Sequence, residues 1–237
     1  MCSDLKKKPV RKFGEAAYIL GTALCAFGVS FSAKSGLGVS TVVAPAFVLS
    51  AFLEPINGFF TFGNVEYVLQ GALLITLAIV LRRLKISYPL SFLTAVFYGL
   101  TLDAFRLLVG TDIADELWLK IIYAVVGALT TELSIALILR SYLPQQAYDF
   151  SVKEISVVKG KNLGKVKWIY DVSSLAVAIA LMLVFFGEFR FSLIGVGTLV
   201  LAFVNAPMIS ILGKLIDRFI DFSPLFLRFA ERFFKSE

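Results

Sequence analysis

The sequence predicts an all-α protein, a polytopic membrane bundle with six transmembrane helices, and three observations carry that prediction. Of its 237 residues, 58% are hydrophobic and only 17% charged, with a mean hydropathy of +0.84; a water-soluble domain of this length needs far more charge on its outward faces. Several apolar stretches reach the ~20 residues a helix needs to cross ~30 Å of hydrocarbon. The basic residues, finally, collect in alternate links between those stretches, the asymmetry that sets orientation in a bilayer.

Taken in order, crossings are expected at 15–33, 65–81, 88–109, 117–139, 170–187 and 191–213. The leading MCSDLKKKPVRK is too polar for a signal-peptide core, so the first span is read as a retained anchor. Lys6, Lys7, Lys8, Arg11 and Lys12 precede it; Arg82, Arg83 and Lys85 follow the second span. Arg140, Lys153, Lys159, Lys161, Lys165 and Lys167 fill the link after the fourth, and Lys214, Arg218, Arg228 and Arg232 follow the sixth. GTDIADE (110–116) and GEFR (187–190) hold the opposite side with acidic or neutral character. Both termini are therefore expected in the cytoplasm, with every loop in agreement.

That topology puts KSGLGVSTVVAPAFVLSAF (34–52) on the outer side, between the first two spans. A full crossing there would reverse every later loop. The stretch is expected to be re-entrant or interfacial, with Gly36, Gly38 and Pro45 shaping its backbone as a lid or vestibule wall. Residues 214–237 alternate apolar and charged residues and read as a cytoplasmic amphipathic helix broken near Pro224. The remainder, 1–213, reads as one transmembrane domain.

Self-comparison suggests a 3+3 inverted repeat, with halves at about 13–109 and 117–213. AYILGTALCAFGVSFSAKSGLG (17–38) lies on YAVVGALTTELSIALILRSYLP (123–144) at an offset of 106, which superposes Gly21 on Gly127 and Lys34 on Arg140. Three spans per half give the halves opposite orientations, the architecture of many secondary transporters, whose sites lie where the halves meet. The outer stretch then has a counterpart at 142–160.

Ionisable groups inside spans cost on the order of 2.5–3.5 kcal/mol and so face protein or water. Asp103 and Arg106 are three apart on one helix face, as a neutralising pair or as parts of a binding site. Glu132 sits mid-span beside Thr130 and Thr131 with no basic neighbour within a turn; Arg106 is one available partner, and a coupling proton is the alternative use. Glu66 and Gln70 share a face near the outer end of the second span. Asp171 reads as an interfacial or capping residue. Asn205 and Pro207 interrupt the sixth span, where Pro207 removes a helical hydrogen bond.

Several function classes find no support. There is no histidine, and Cys2 and Cys25 form no metal or redox motif, so neither metal nor other cofactor is expected. The net charge of +6 lies beside apolar spans, where topology and anionic lipid explain it better than nucleic acid does. No P-loop, hydrolase elbow or paired-glycine dinucleotide motif argues for an enzyme.

The Gly-rich first span running into SAKSGLGVST, the YGLTLDAF of the third span and LIGVGTLVLAFVNAPMI in the sixth resemble the YczE/YyaS/YitT family of bacterial integral membrane proteins. The chain keeps Gly36, Gly38, Gly195, Gly197, Thr198 and Pro207. It departs with Ser40 or Thr41 where proline is usual and Ala206 where glycine precedes the last proline. The resemblance implies a bacterial plasma membrane and a transport-related role, without a substrate.

The expected function is thus a transporter or permease for a small polar or anionic solute, with proton coupling as one option for its mechanism, Asp103, Arg106 and Glu132 at its centre and Glu66, Gln70 and Asn205 around them. Two alternatives stand beside it. One is the substrate-binding subunit of an energy-coupled vitamin importer, docking its coupling subunit through Ala17, Gly21 and Cys25. The other is a non-transporting scaffold. Lipid, a small solute and a second copy or coupling subunit are the expected partners.

Overall fold

In the computed structural model, residues 10–11, 14–83, 85–141, 143–219 and 221–222 are described. Their helices are α1 (Gly14–Ser35), α2 (Ala44–Leu53), α3 (Phe62–Leu81), α4 (Ser87–Val109), α5 (Leu117–Ile138), α6 (Ala147–Lys159), α7 (Leu163–Phe186) and α8 (Val196–Phe219). Six of them, all but the short α2 and α6, are long and apolar enough to cross a membrane.

The spans fall where hydropathy puts them, with two shifts at their ends. α7 begins at Leu163 rather than near 170, because the Asn162 side chain caps it by accepting from the backbone of Gly164 (2.9 Å) and Lys165 (3.3 Å). α8 begins at Val196 rather than 191, after a turn through 191–194. It then runs through Pro207 to Phe219, so residues 214–219, expected in a separate surface helix, continue the last span. Residues 223–237, with Pro224, lie outside the described residues. A parallel pairing of Val10–Arg11 (β1) with Asp221–Phe222 (β2) holds the two chain ends together, as an even number of crossings requires.

α1 is the central element. Most of its buried positions are small (Ala17, Gly21, Cys25, Ala26, Gly28, Ser32 among them), so α5 comes into backbone contact with it. A side-chain carbon on Gly28 would meet the Gly127 carbonyl at 2.7 Å, and one on Gly127 would meet the Gly28 carbonyl at the same distance. The row Ala17, Gly21, Cys25 faces this crossing. Gly21 lies against Ser134 and Ile138 of α5, and Ala17 and Cys25 are buried.

The stretch after α1 does not cross. Gly36 (φ +62°) and Gly38 (φ +105°) turn the chain back, and α2 follows with Pro45 in its first turn. Ten residues of helix rise about 15 Å, half a bilayer. Val39, Ala44, Ala46 and Val48 are fully enclosed by protein, which is burial within the bundle rather than a position on the lipid surface. α6 is built alike at the other end of the bundle: Ala147, Phe150, Ser151 and Val152 are buried against α3 and α7.

Candidate functional site

A cavity of about 290 Å³ lies between the helices, running from mid-bundle toward the end where α6 sits. Its inner wall is Cys25 and Val29 of α1, Ser40 and Val43 of the turn before α2, Tyr98 of α4 and Thr131 of α5. Nearer its mouth stand Gln145 and Gln146, Asp149 and Lys153 of α6, and Lys167 of α7. Asn205, Ala206 and Ile209 of α8 complete it, while Pro207 lies within the same helix but not on the lining. Most of the enclosing surface is aliphatic, with polar groups at a few points, the usual make-up of a small-molecule site.

Asn205 is the pivot of the inner end. Its amide nitrogen donates to Glu132 Oε1 (2.8 Å) and to the Leu201 carbonyl (3.0 Å), while its oxygen accepts from the Ser40 hydroxyl (3.3 Å). α5, α8 and the glycine turn thus meet at one side chain. Glu132 is 1% exposed, and its Oε2 has no hydrogen-bond partner; neither do the hydroxyls of Thr131 and Tyr98 on the cavity wall. Buried polar atoms are nearly always paired, so the unpartnered hydroxyls of Thr131 and Tyr98 are candidate ligand contacts on the cavity wall. At the mouth Lys167 is ion-paired with Asp149 (3.2 Å) and Asp171 (3.2 Å). Asp171, expected as an interfacial or capping residue, lies inside α7 rather than at its cap and is ion-paired there.

The structure separates the residues that the sequence grouped. Asp103 faces the start of α3, where its Oδ2 accepts from the Thr61 hydroxyl (2.5 Å) and its Oδ1 from the Gly63 backbone (2.7 Å). Arg106 pairs with Glu54 (3.7 Å) and lies over the Phe62 ring. Neither lines the cavity, and they do not bridge each other: a shared helix face gives proximity, but both found stronger partners on α2 and α3. Of the proposed central trio none lines the cavity; Glu132 comes nearest, standing behind the wall in contact with Asn205, which does line it.

Glu66 and Gln70 are fully buried and make a bracket for α6. Gln70 donates to Glu66 Oε1 (3.2 Å) and accepts from the Ala147 backbone at the first residue of α6 (3.1 Å). The next residue, Tyr148, faces the cavity; burial, reinforced by the Glu66 charge, pushes its phenol well above the usual range and keeps it neutral.

Gly36, Gly38 and Pro45 shape the closure at the opposite end. The Leu37 carbonyl accepts from the Gly197 backbone (2.9 Å), and a side chain on Gly38 would strike Gly195 and Thr198 at the start of α8. The two Gly-x-Gly pairs, weak signals when taken singly, seal against one another.

The chain belongs to DUF6198, a family of unknown function. The family model matches residues 13–214, which takes in α1 to α7, α8 up to its last residues, and the whole cavity. The match carries the DUF6198 name rather than that of the YczE/YyaS/YitT group. No curated protein and no solved structure matches the chain. In this DUF6198 protein, Ser40, Tyr98, Asp149 and Lys167 are the site residues that sequence reading passed over. The last two sat in a basic link that topology alone already explained. Asp149 falls in 142–160, the segment the expected repeat pairs with the re-entrant stretch; Lys167 lies beyond it. Among the described residues no group of acidic or cysteine side chains is arranged to hold a metal ion.

Proposed function

We propose that this DUF6198 protein is a carrier for a small solute in a bacterial plasma membrane, with both termini cytoplasmic, and that it works by alternating access between two inverted halves. The kinship with the YczE/YyaS/YitT group suggested by SAKSGLGVST and YGLTLDAF belongs to this reading. The observation that carries it is the cavity itself: largely apolar with a few polar points, and bounded by residues of both halves, with the buried acid Glu132 behind its wall at Asn205.

The contacts between α1 and α5 support the repeat. Moving each residue by the offset that takes Gly21 to Gly127 turns the contact of Gly21 with Ser134 and Ile138 into that of Gly127 with Gly28 and Ser32, and both are present. Lys34, at the end of α1, donates to the Val109 carbonyl at the end of α4. Its counterpart Arg140, at the end of α5, binds Asp217 near the end of α8 through two bonds of 2.5 and 2.6 Å. α2 packs on α7 and α3; α6 packs on α3 and α7.

In this reading Glu132 carries the coupling proton, with the solute held at Asn205, Thr131 and Tyr98. The re-entrant turn at Gly36–Gly38 and the Asp103 clasp form the outer gate. Reconstitution into liposomes is the test. Uptake of solute by the pure protein, dependent on an imposed proton gradient and lost in Glu132→Gln, is expected; no uptake across a broad solute panel overturns the reading.

A further inference from the structure

The charges at the mouth of the cavity answer one another. Asp149 lines it together with Lys153 and Lys167, one carboxylate to two ammonium groups. Asp171, one turn further along α7, adds the second carboxylate, and Lys167 holds Asp149 and Asp171 alike at 3.2 Å. Lys153 is engaged as well. The set is two against two, and neither ammonium is held in reserve for an anion. Deeper in, Glu132 stands behind the wall and meets the lining only at Asn205, whose amide is already shared among Glu132, the Leu201 carbonyl and the Ser40 hydroxyl. A ligand of either sign would leave water for a place without an unengaged counter-charge on its lining, the costliest kind of burial.

The unengaged groups on the lining are neutral. The Tyr98 hydroxyl of α4, the Thr131 hydroxyl of α5 and the amide nitrogen of Gln146, the residue ahead of α6, are buried atoms with no hydrogen-bond partner among the described residues. Tyr98 is 0% exposed and Thr131 6%. All three stand about one stretch of α1. Gln146 lies beside the Cys25 thiol, a weak acceptor, and Tyr98 is within reach of the same thiol. Thr131 lies against Gly28, three residues further along. An amide nitrogen only donates, and each hydroxyl has a proton to give, so together they call for an acceptor. Around them the wall is aliphatic: Val29, Val43, Ile135, Ile138 and Val152. The volume, about 290 Å³, matches the small end of ligand pockets, which run from roughly 300 to 1,000 Å³.

We propose that the cavity takes an uncharged small molecule, a carbonyl compound such as an amide on a compact apolar body, whose acceptor atoms bind the Gln146 amide nitrogen and the hydroxyls of Tyr98 and Thr131. This rests on the carrier reading for its purpose but not for its chemistry. Because the solute is neutral, a proton carried at Glu132 is the whole of the charge moved in each cycle.

The experiment is equilibrium binding to the purified full chain in lipid nanodiscs at about pH 7. The probes share one apolar body and differ in charge: 3-phenylpropanamide, 3-phenylpropionate and 3-phenylpropylamine. The amide is expected to bind at least about tenfold tighter than either charged probe, since neither finds an unengaged counter-charge. Tyr98→Phe, Thr131→Val and Gln146→Leu each remove one polar group, and each is expected to weaken amide binding about twofold to tenfold and to narrow its preference. Thermal unfolding of the ligand-free variants gives a second readout. Hydroxyls that are unpaired in the empty cavity contribute nothing to stability, so Tyr98→Phe and Thr131→Val unfold at the parent temperature or above it. Equal or tighter binding of a charged probe, no binding of the amide, or an unchanged preference in all three variants each overturns the proposal. A lowered unfolding temperature in both hydroxyl variants, marking the hydroxyls as structural, overturns it too. Uptake of charged solutes alone in liposomes would overturn it while leaving the carrier reading intact. Selective amide binding with no uptake would do the reverse.

Discussion

The helix pair α3–α4 and the pair α7–α8, which would correspond in the proposed repeat, are packed differently. Gly63 and Gly99 bring α3 and α4 into backbone contact, and Asp103 of α4 clasps the first turn of α3. α7 and α8 scarcely touch. Of the most apolar stretch of α3 and of α4, 28% is buried, against 11% for α7 and 6% for α8. The cavity opens on the looser side, with Leu163, Gly164 and Lys167 of α7 facing Asn205 and Ile209 of α8. Two similar segments have been given different jobs: one pair is sewn shut, the other stands apart around a vestibule. In a carrier working by alternating access, the sewn pair is what must open in the other state.

The comparison breaks most easily at its tightest point. Gly63→Leu drives a side chain into the Gly99 backbone and is expected to destabilise by more than the ~1–3 kcal/mol of ordinary overpacking, because backbone cannot step aside. Val184→Leu on the exposed face of α7 should leave thermal unfolding in detergent unchanged. Comparable losses in both would mean that the two pairs are equally packed.

Asp103→Ala comes next. It strips the Thr61 hydroxyl and the Gly63 amide of their acceptor, at about 1–3 kcal/mol. Since the clasp holds the sealed pair, the same variant should make a cysteine placed at Thr61 more reactive toward a water-soluble thiol reagent. Unaltered labelling would show that Asp103 only stabilises the helix end.

Gly38→Ala forces a side chain onto φ +105° and against Thr198, at about 1–3 kcal/mol, read as a lower unfolding temperature. Smallest is Arg140→Gln at the α5–α8 end. Its pair with Asp217 is half-exposed, so a loss of about 0.2–1 kcal/mol, reduced further by added salt, is expected in the same unfolding assay.

Much of the architecture was legible because it follows from transfer energies that each segment feels alone. Hydropathy placed six spans, and the basic links ruled out a seventh crossing through α2. The errors at the starts of α7 and α8 came from local chemistry. Asn162 capped a helix that begins among charged residues, and Gly195 and Gly197 were reserved for contact with Leu37.

The candidate site was only half legible. Glu132 and Asn205 stood out as polar residues in apolar spans, and they meet. Asp103 and Arg106 stood out for the same reason, and they went elsewhere, because a polar group in a span must find a partner but sequence does not say on which helix. Spacing of three predicted a shared face correctly; it could not predict that Thr61, Gly63 and Glu54 would be nearer claims on those charges.

By itself the sequence determined that this chain crosses a membrane six times and that its re-entrant stretch stays on one side, since apolar length and flanking charge act on each segment independently of the rest. Only the tertiary structure decided which buried polar groups share a cavity, which serve as clasps, and which helix pair is closed. Those outcomes depend on competition among partners distant in the chain, and on glycine contacts a few ångströms wide that no single segment encodes.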